Sequence, residues 1–404
     1  MVFIGRRFSF SLIISLMIFL VFAPYSSFIY VQSNQTNFTV SANSNSTWVE
    51  IIPAVSPVGR FHHMIGYDTS NNISILVGGS NGPGLNDTWK FNSETGEWTE
   101  LSPNPTPVLS RSAIAYDQVN QRIVTFGGLR EDSEGSEYLS NETWVYYYQN
   151  SSWNQIYPIN SPSARYFHDM VYDSYNQKLI TFGGRALKSG GGLEYSSQLW
   201  IYDIASNNWS QIFTDVEPPR RYFHSMVFDS TRNQVFLFGC ENPEAEQKFL
   251  LDTWIYSLHN NSWKELPTII SPPGRSNFDM TYDKTNDVVV LFGGYDSYQG
   301  KNYDDTWIYS FEKNTWAELE FDNKPVQRGI DRGLVYDSNS NKTILFGGIN
   351  QSGYLDDTWL LQIKDIQIIL TENTNKTNMN LTIGIFVLLI FYYLAKRKKR
   401  EEIS

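Results

Sequence analysis

A chain of 404 residues with a single cysteine cannot form an internal disulfide, so its fold must be held by packing. That residue, Cys240, stands in an apolar stretch and reads as a small buried side chain rather than a reactive thiol. Basic residues are also scarce: 31 Lys and Arg against 42 Asp and Glu leave a net charge of −11. Arg6, Arg7 and the basic run 396–400 lie at the two ends, so the stretch between them is more acidic still. An acidic surface repels phosphate backbones, which disfavours nucleic-acid partners. No P-loop or dinucleotide fingerprint follows a strand, and Gly190 to Gly192 is a glycine run of a loop. Histidine is limited to five residues. Three of them, His63, His168 and His224, occupy one place in a repeat, which suits a satisfied structural role and not a metal centre, whose ligands must converge.

What the chain has in quantity is aromatic side chains, 15% of residues, and internal repetition. The stretch YDSYNQKLITFGG, 172–184, occurs six times with small changes, closing at Gly79, Gly128, Gly184, Cys240, Gly294 and Gly348. Each copy opens on an Asp after an aromatic, and every such Asp, from Asp68 to Asp337, lies 11 residues before its closing position. Downstream stands a Trp in a D-T-W-like setting (Trp89, Trp144, Trp200, Trp254, Trp307, Trp359), and nine residues after the first five comes a second Trp. The sixth copy lacks that second Trp, whereas Trp48, in STWVEI, stands alone ahead of the first copy. A closed ring accounts for both: the early strand completes the last unit.

Within a copy the period is two, as strands require. Four short strands follow per copy, with local turns such as Asp173 to Asn176 and Asp229 to Asn233 closing the first hairpin. The expectation is an all-β chain, a six-bladed β-propeller of four-stranded antiparallel blades, with Trp and Tyr on the wide outer strands and small residues on the crowded inner ones. The combination R-x-x-H, aromatic-Asp, F-G-G, D-T-W and a later Trp resembles the kelch repeat of the galactose oxidase central-domain type, over about residues 47–364. The departures are Cys240 for the second Gly, SQLW for D-T-W in the third copy, and no histidine in the second, fifth and sixth copies. Copper oxidases of this fold join a Cys to a Tyr and add a second Tyr and two His; with one Cys, in a motif position, oxidase activity, a metal and any other cofactor are not expected.

The ends point outside the cell. Residues 1–33 carry Arg6 and Arg7, then an apolar run from Phe8 to Ala23, and read as a signal peptide or signal anchor. Residues 381–395 read as a short transmembrane helix before a basic cytoplasmic tail, 396–404. Between these and the propeller, 34–46 and 365–380 read as linkers, with 34–46 and 371–380 rich in Asn, Ser and Thr. Among the N-x-S/T sequons, Asn34, Asn37, Asn45, Asn72, Asn150, Asn260, Asn341, Asn350 and Asn375 are the candidate glycosylation acceptors. Asn86 and Asn141 belong to the D-T-W motif and Asn208 to a turn.

Loop lengths locate the working face. The spacing from closing position to first Trp runs 10, 16, 16, 14, 13 and 11, while the other spacings are invariant. That second-to-third-strand loop emerges beside the crossovers between blades, and variable loops on a rigid scaffold are where binding concentrates. The binding candidates there are Tyr138, Tyr195, Tyr298, Tyr303 and Tyr354, with the arginines that open strand one: Arg60, Arg165, Arg221, Arg275 and Arg328. A second reading pairs those arginines with the acidic residues beside the first Trp, such as Asp87, Asp252, Asp305 and Asp357. No catalytic residue is assigned. The function expected is a membrane-tethered extracellular propeller binding a protein or glycan; the alternatives are an exported sugar-modifying enzyme resembling kelch-type sugar isomerases, and a structural adhesion component.

Overall fold

The computed structural model describes residues 34–103, 106–131, 134–242 and 248–376; the signal segment, the hydrophobic span 381–395 and the tail 396–404 lie outside them. Two compact units form, one of Ser41–Ile368 and one of the two chain ends. Among the described residues no helix is long and apolar enough to cross a membrane.

The larger unit holds six four-stranded antiparallel sheets in which consecutive main strands pair. The first runs Met64–Asp68, Ile73–Val77, Thr88–Asn92 and Glu97–Leu101. The sixth takes Leu334–Asp337, Lys342–Asn350 and Gly353–Gln362 from one end of the unit and Thr47–Ile51 from the other. There Trp48 faces Leu361 and Glu50 faces Trp359, so the lone tryptophan strand completes the unfinished sheet. Each sheet's first strand lies against the first strand of the next, and the sixth returns to the first, the closed arrangement of a β-propeller.

First strands are buried along nearly their whole length, as in Met64–Asp68 and Asp279–Asp283, because both faces meet neighbouring sheets. Their alternation is therefore one of side-chain size rather than of exposure. The motif Asp ends this strand and organises the turn: Asp173 accepts hydrogen bonds from the backbone N–H of Tyr175 and Asn176 (both 2.9 Å) and from Asn176 Nδ2. In the fourth copy the partner of Asp229 is Arg232, not the expected Asn233, which sits instead at a left-handed position (φ 54°). The variable loops keep sheet character: three carry a small hairpin, and in the fourth and sixth sheets the second and third strands run on past a bulge at Gly239 or Gly347.

Residues assigned by composition to linkers include strands: Asn34–Asn43 pairs with Gln367–Lys376 in a two-stranded sheet. Thr36, Phe38 and Val40 alternate there, and Ile368, Ile369 and Thr371 are β-branched, so strand propensity outweighs the polar composition.

Four of the six seams between adjacent sheets share one recurring bond. The second Trp donates its indole N–H to the Thr of D-T-W in the preceding sheet: Trp98 to Thr358 (2.9 Å), Trp153 to Thr88 (3.1 Å), Trp48 to Thr306 (3.0 Å) and Trp316 to Thr253 (3.4 Å). Where SQLW replaces D-T-W, Leu199 holds the Thr place, and the buried indole nitrogen of Trp263 has no partner; that of Trp209 also lacks one, although Thr143 holds the Thr place in the sheet before it. Trp98→Phe is therefore expected to cost about 1–2 kcal/mol more than Trp263→Phe, because it alone breaks a buried bond and strands a hydroxyl. Urea unfolding of the two variants measures the difference.

Candidate functional site

The five strand-opening arginines are placed together by one local rule. Each donates its own Nε–H to the carbonyl two residues earlier and Nη1 to the first Gly of F-G-G or its equivalent, as Arg60 does to Val58 and Gly78. Arg60, Arg221, Arg275 and Arg328 then grip Asp87, Asp252, Asp305 and Asp357 with both guanidinium nitrogens at 2.5–2.9 Å. The same carboxylates accept the indole N–H of the first Trp at 2.7–2.8 Å. Arg165 meets Gln198 (2.6 Å) instead, the residue that SQLW puts in the acidic place. In the second copy Leu109 holds the Arg place; Arg130, from the variable loop, reaches Val108 O at 3.3 Å and Glu142 at 3.5 Å. All five candidate arginines are at most 2% exposed and present no free guanidinium.

Electrostatics follow the partner. Burial pushes the Asp87, Asp305 and Asp357 carboxyls up, and the hydrogen bonds and charge of their arginines more than cancel it, leaving each below the usual carboxylate range. Burial pulls the Arg165 guanidinium down to about 10, with no carboxylate in contact to oppose it. Burial likewise pushes the Cys240 thiol up to about 12.

The candidate tyrosines scatter. Tyr138, Tyr298 and Tyr354 are 42–54% exposed, whereas Tyr303 is buried 4.0 Å beneath the Arg275 guanidinium. Tyr195 is half-buried, 5.0 Å from Tyr222 and 5.7 Å from the Arg185 guanidinium. Of the candidate sequons, Asn45, Asn72, Asn150, Asn260 and Asn341 are exposed. Asn72 and Asn341 are also left-handed turn residues (φ 54° each), a position that favours Asn for its backbone alone.

A different set of side chains converges at the axis. Two residues ahead of each first strand, or three in the sixth sheet, stands a residue with a left-handed backbone: His62, Arg111, Phe167, Phe223, Asn277 and Asp331, with φ of 52–58°. Their backbones link around the ring, Arg111 N–H to His62 O (3.1 Å), Phe167 to Arg111 (3.3 Å), Phe223 to Phe167 (3.2 Å) and Asp331 to Asn277 (3.1 Å). Because each stands where a crossover enters its innermost strand, the six form the mouth on the variable-loop face. Half of it is aromatic: Phe167 and Phe223 stack at 3.8 Å, with Tyr222 4.7 Å beyond. The other half is polar: His62 Nδ1 lies 2.9 Å from Asp331 Oδ2, and Arg111 lies 5.6 Å over Phe167. His62 also lies 5.1 Å from Phe167, two sheets away, which shows how tightly the set converges. Left-handed non-glycine residues are costly and gather at functional sites.

Below the mouth Arg332 crosses the axis to the opposite sheet, bonding the Asp169 carboxylate and the His168 carbonyl. Asp279 accepts N–H bonds from Leu334 (3.0 Å) and Met280 (2.8 Å); burial and then the Asp169 charge push its carboxyl well up, against the pull of Arg332. Further down, a cavity of about 490 Å³ is walled by Gly66, Ala115, Val171, Val227, Thr281 and Val335 and rimmed by the motif aromatics. It reaches the tight-turn residues, the face away from the variable loops.

The mouth was hidden from sequence reasoning because it does not repeat. Its six residues are His, Arg, Phe, Phe, Asn and Asp, and that variation, inside an otherwise regular approach to strand one, is the signal that could have found them.

Comparison with known proteins gives the following. The family model of the KLHDC2/KLHL20/DRC7 kelch-repeats domain matches residues 118–328 and 232–380, and the kelch motif matches 75–105. Kelch domain-containing protein 2 of Bos taurus is 26% identical over 305 residues, covering 65% of this chain and 67% of that protein. Kelch domain-containing protein 3 of Bos taurus is 24% identical over 318 residues, covering 74% and 79%. Of another, much longer relative the chain spans 6%. The solved structure of YjhT superposes with a TM-score of 0.60 at 18% identity, over 79% of this chain and 99% of that one, a likeness of fold.

Asp305→Asn should cost about 3–5 kcal/mol, because Arg275 is left buried without its counter-charge. Since the carboxyls of Asp87, Asp305 and Asp357 are held low in the fold, their contribution is present above the ordinary carboxylate pKa of about 4 and is lost as pH falls below it. Urea midpoints of wild type and variant from neutral to acid pH check both, and the two curves should converge at the acid end.

Proposed function

Because the chain belongs to the kelch-repeat family, we propose that it is a binding module whose partner, a protein or glycan outside the cell, docks on the variable-loop mouth. One observation carries this reading: six side chains of five kinds converge on the axis at the face where loop length varies, while most of the repeat is uniform. Kelch domains generally mediate protein binding. Phe223 and Tyr222 offer stacking faces backed by the buried Phe167, Arg111, Asn277 and the His62–Asp331 pair offer hydrogen bonds, and Tyr138, Tyr298 and Tyr354 extend the surface outward. The strand-opening arginines, already paired, fix the loops around the mouth. The acidic ring favours neutral or cationic groups on the partner. In this reading residues 1–33 export the ring and 381–395 tether it, with the tail inside, and exposed sequons such as Asn150 and Asn260 carry glycans.

The His62–Asp331 pair beside Arg111 favours one other reading, a sugar-modifying enzyme at the same mouth, with His62 as the proton-transfer group.

Cell-surface protein and glycan arrays probed with the full-length protein separate the two. Binding predicts a captured partner, lost about tenfold or more by Arg111→Ala or Phe223→Ala and unaffected by Lys284→Ala on the opposite face. Turnover of a sugar without array capture, abolished by His62→Gln, overturns the binding reading.

A further inference from the structure

Three buried histidines do work that phenylalanine does elsewhere in the same ring. His63, His168 and His224 each sit between two sheets, with the ring edge-on to the F-G-G phenylalanine of the preceding sheet: Phe346 at 5.6 Å, Phe126 at 5.4 Å and Phe182 at 5.7 Å. Each is at most 3% exposed. In the equivalent place of the fifth sheet stands Phe278, edge-on to Phe238 at 5.8 Å, so the slot accepts a purely apolar ring. The slot is tight, since a Cβ on Gly127 or Gly183 would meet His168 or His224 at 2.8 and 2.7 Å.

No ring nitrogen of the three makes a hydrogen bond of good geometry; the backbone of Phe346, Phe126 and Phe182 offers each ring a weak partner. A neutral imidazole there gains little over phenylalanine, and an imidazolium would be a buried charge short of counter-charge. The charged neighbours make this worse. Arg60 and His62 face His63, Arg165 and Arg332 face His168 together with His224, and Arg221 and Arg332 face His224; only Asp331, near His63, opposes them.

We propose that these histidines make the ring acid-labile: protonation inside a slot drives apart the two sheets that enclose it, and with them the mouth residues His62, Phe167 and Phe223 that immediately precede the histidines. The vulnerable seams are those between sheets six and one, two and three, and three and four. The mouth would thus release its ligand on acidification without any titrating group touching that ligand.

Burial, then the neighbouring arginines, pull His63 down to about 3 and the other two well below the ordinary value. The sign follows: a folded-state value below the unfolded one of about 6.5 leaves full stability above that pH and removes it as pH falls. Each histidine can lower the folding equilibrium constant up to about tenfold per pH unit, and the three together up to about a thousandfold. Asp169 and Asp279, whose carboxyls are raised in the fold, run the other way, so the histidine contribution must be read as a difference between proteins.

The test compares full-length wild type with H63F/H168F/H224F, following urea midpoints from about pH 7 to about pH 5, the range in which histidine titrates. Wild type should lose stability steeply, at least tenfold more per pH unit than the triple variant. Parallel curves would overturn the proposal. Should the triple variant not fold, each single variant must remove its own share of the slope. In addition, amide exchange of wild type at about pH 5 must rise at the three histidine seams ahead of the Phe278 seam. Uniform exchange at all four would contradict the proposal.

Discussion

Everything in the larger unit rests on one pairing, the strand Thr47–Ile51 hydrogen-bonded in register to Gly353–Gln362. Without it the sixth sheet has three strands, its outer edge lacks a partner, and the slot that Trp48 fills against the fifth sheet is empty. With it, the indole of Trp48 reaches Thr306 and that of Trp98 reaches Thr358, so both neighbours of the closing sheet are engaged by the same kind of bond that joins the first sheet to the second and the fourth to the fifth. A ring held this way needs no disulfide, consistent with the single buried cysteine.

Repetition turns each departure into an internal experiment. Gln198 in the acidic place removes the charge from one Arg pair, and Leu199 in the Thr place removes one indole bond, both in the same SQLW segment. Leu109 in the Arg place is answered from elsewhere, by Arg130 on the variable loop, so the demand for a guanidinium belongs to the slot and not to the sequence position. Histidine and phenylalanine exchange in the inter-sheet slot in the same fashion.

The ring and its closure were legible in the sequence because they follow from constant spacings: 11 residues from Asp to closing position, nine between tryptophans, and one Trp too many at the start. The Arg–Asp pairs could be foreseen as one of two readings, since both partners repeat. What repeats is scaffold, so repetition hid the mouth: His62, Arg111, Phe167, Phe223, Asn277 and Asp331 share a backbone angle but no common side chain. The poorly partnered histidine nitrogens were also illegible, because composition records that a polar ring is present and not how well anything meets it. At the termini, a polar bias masked the alternation that pairs Asn34–Asn43 with Gln367–Lys376.

Closure makes the mouth possible, since residues from all six sheets can meet only if the first and last are neighbours; His62 and Asp331, 2.9 Å apart, come from those two sheets. Native-state hydrogen exchange tests it most directly. If the ring is closed by the N-terminal strand, the protected amides of Thr47–Ile51 will open only with global unfolding, at the same free energy as those of Ile73–Val77 in the first sheet. Exchange of the closing strand through a much cheaper local opening, with Ile73–Val77 still protected, would contradict the account.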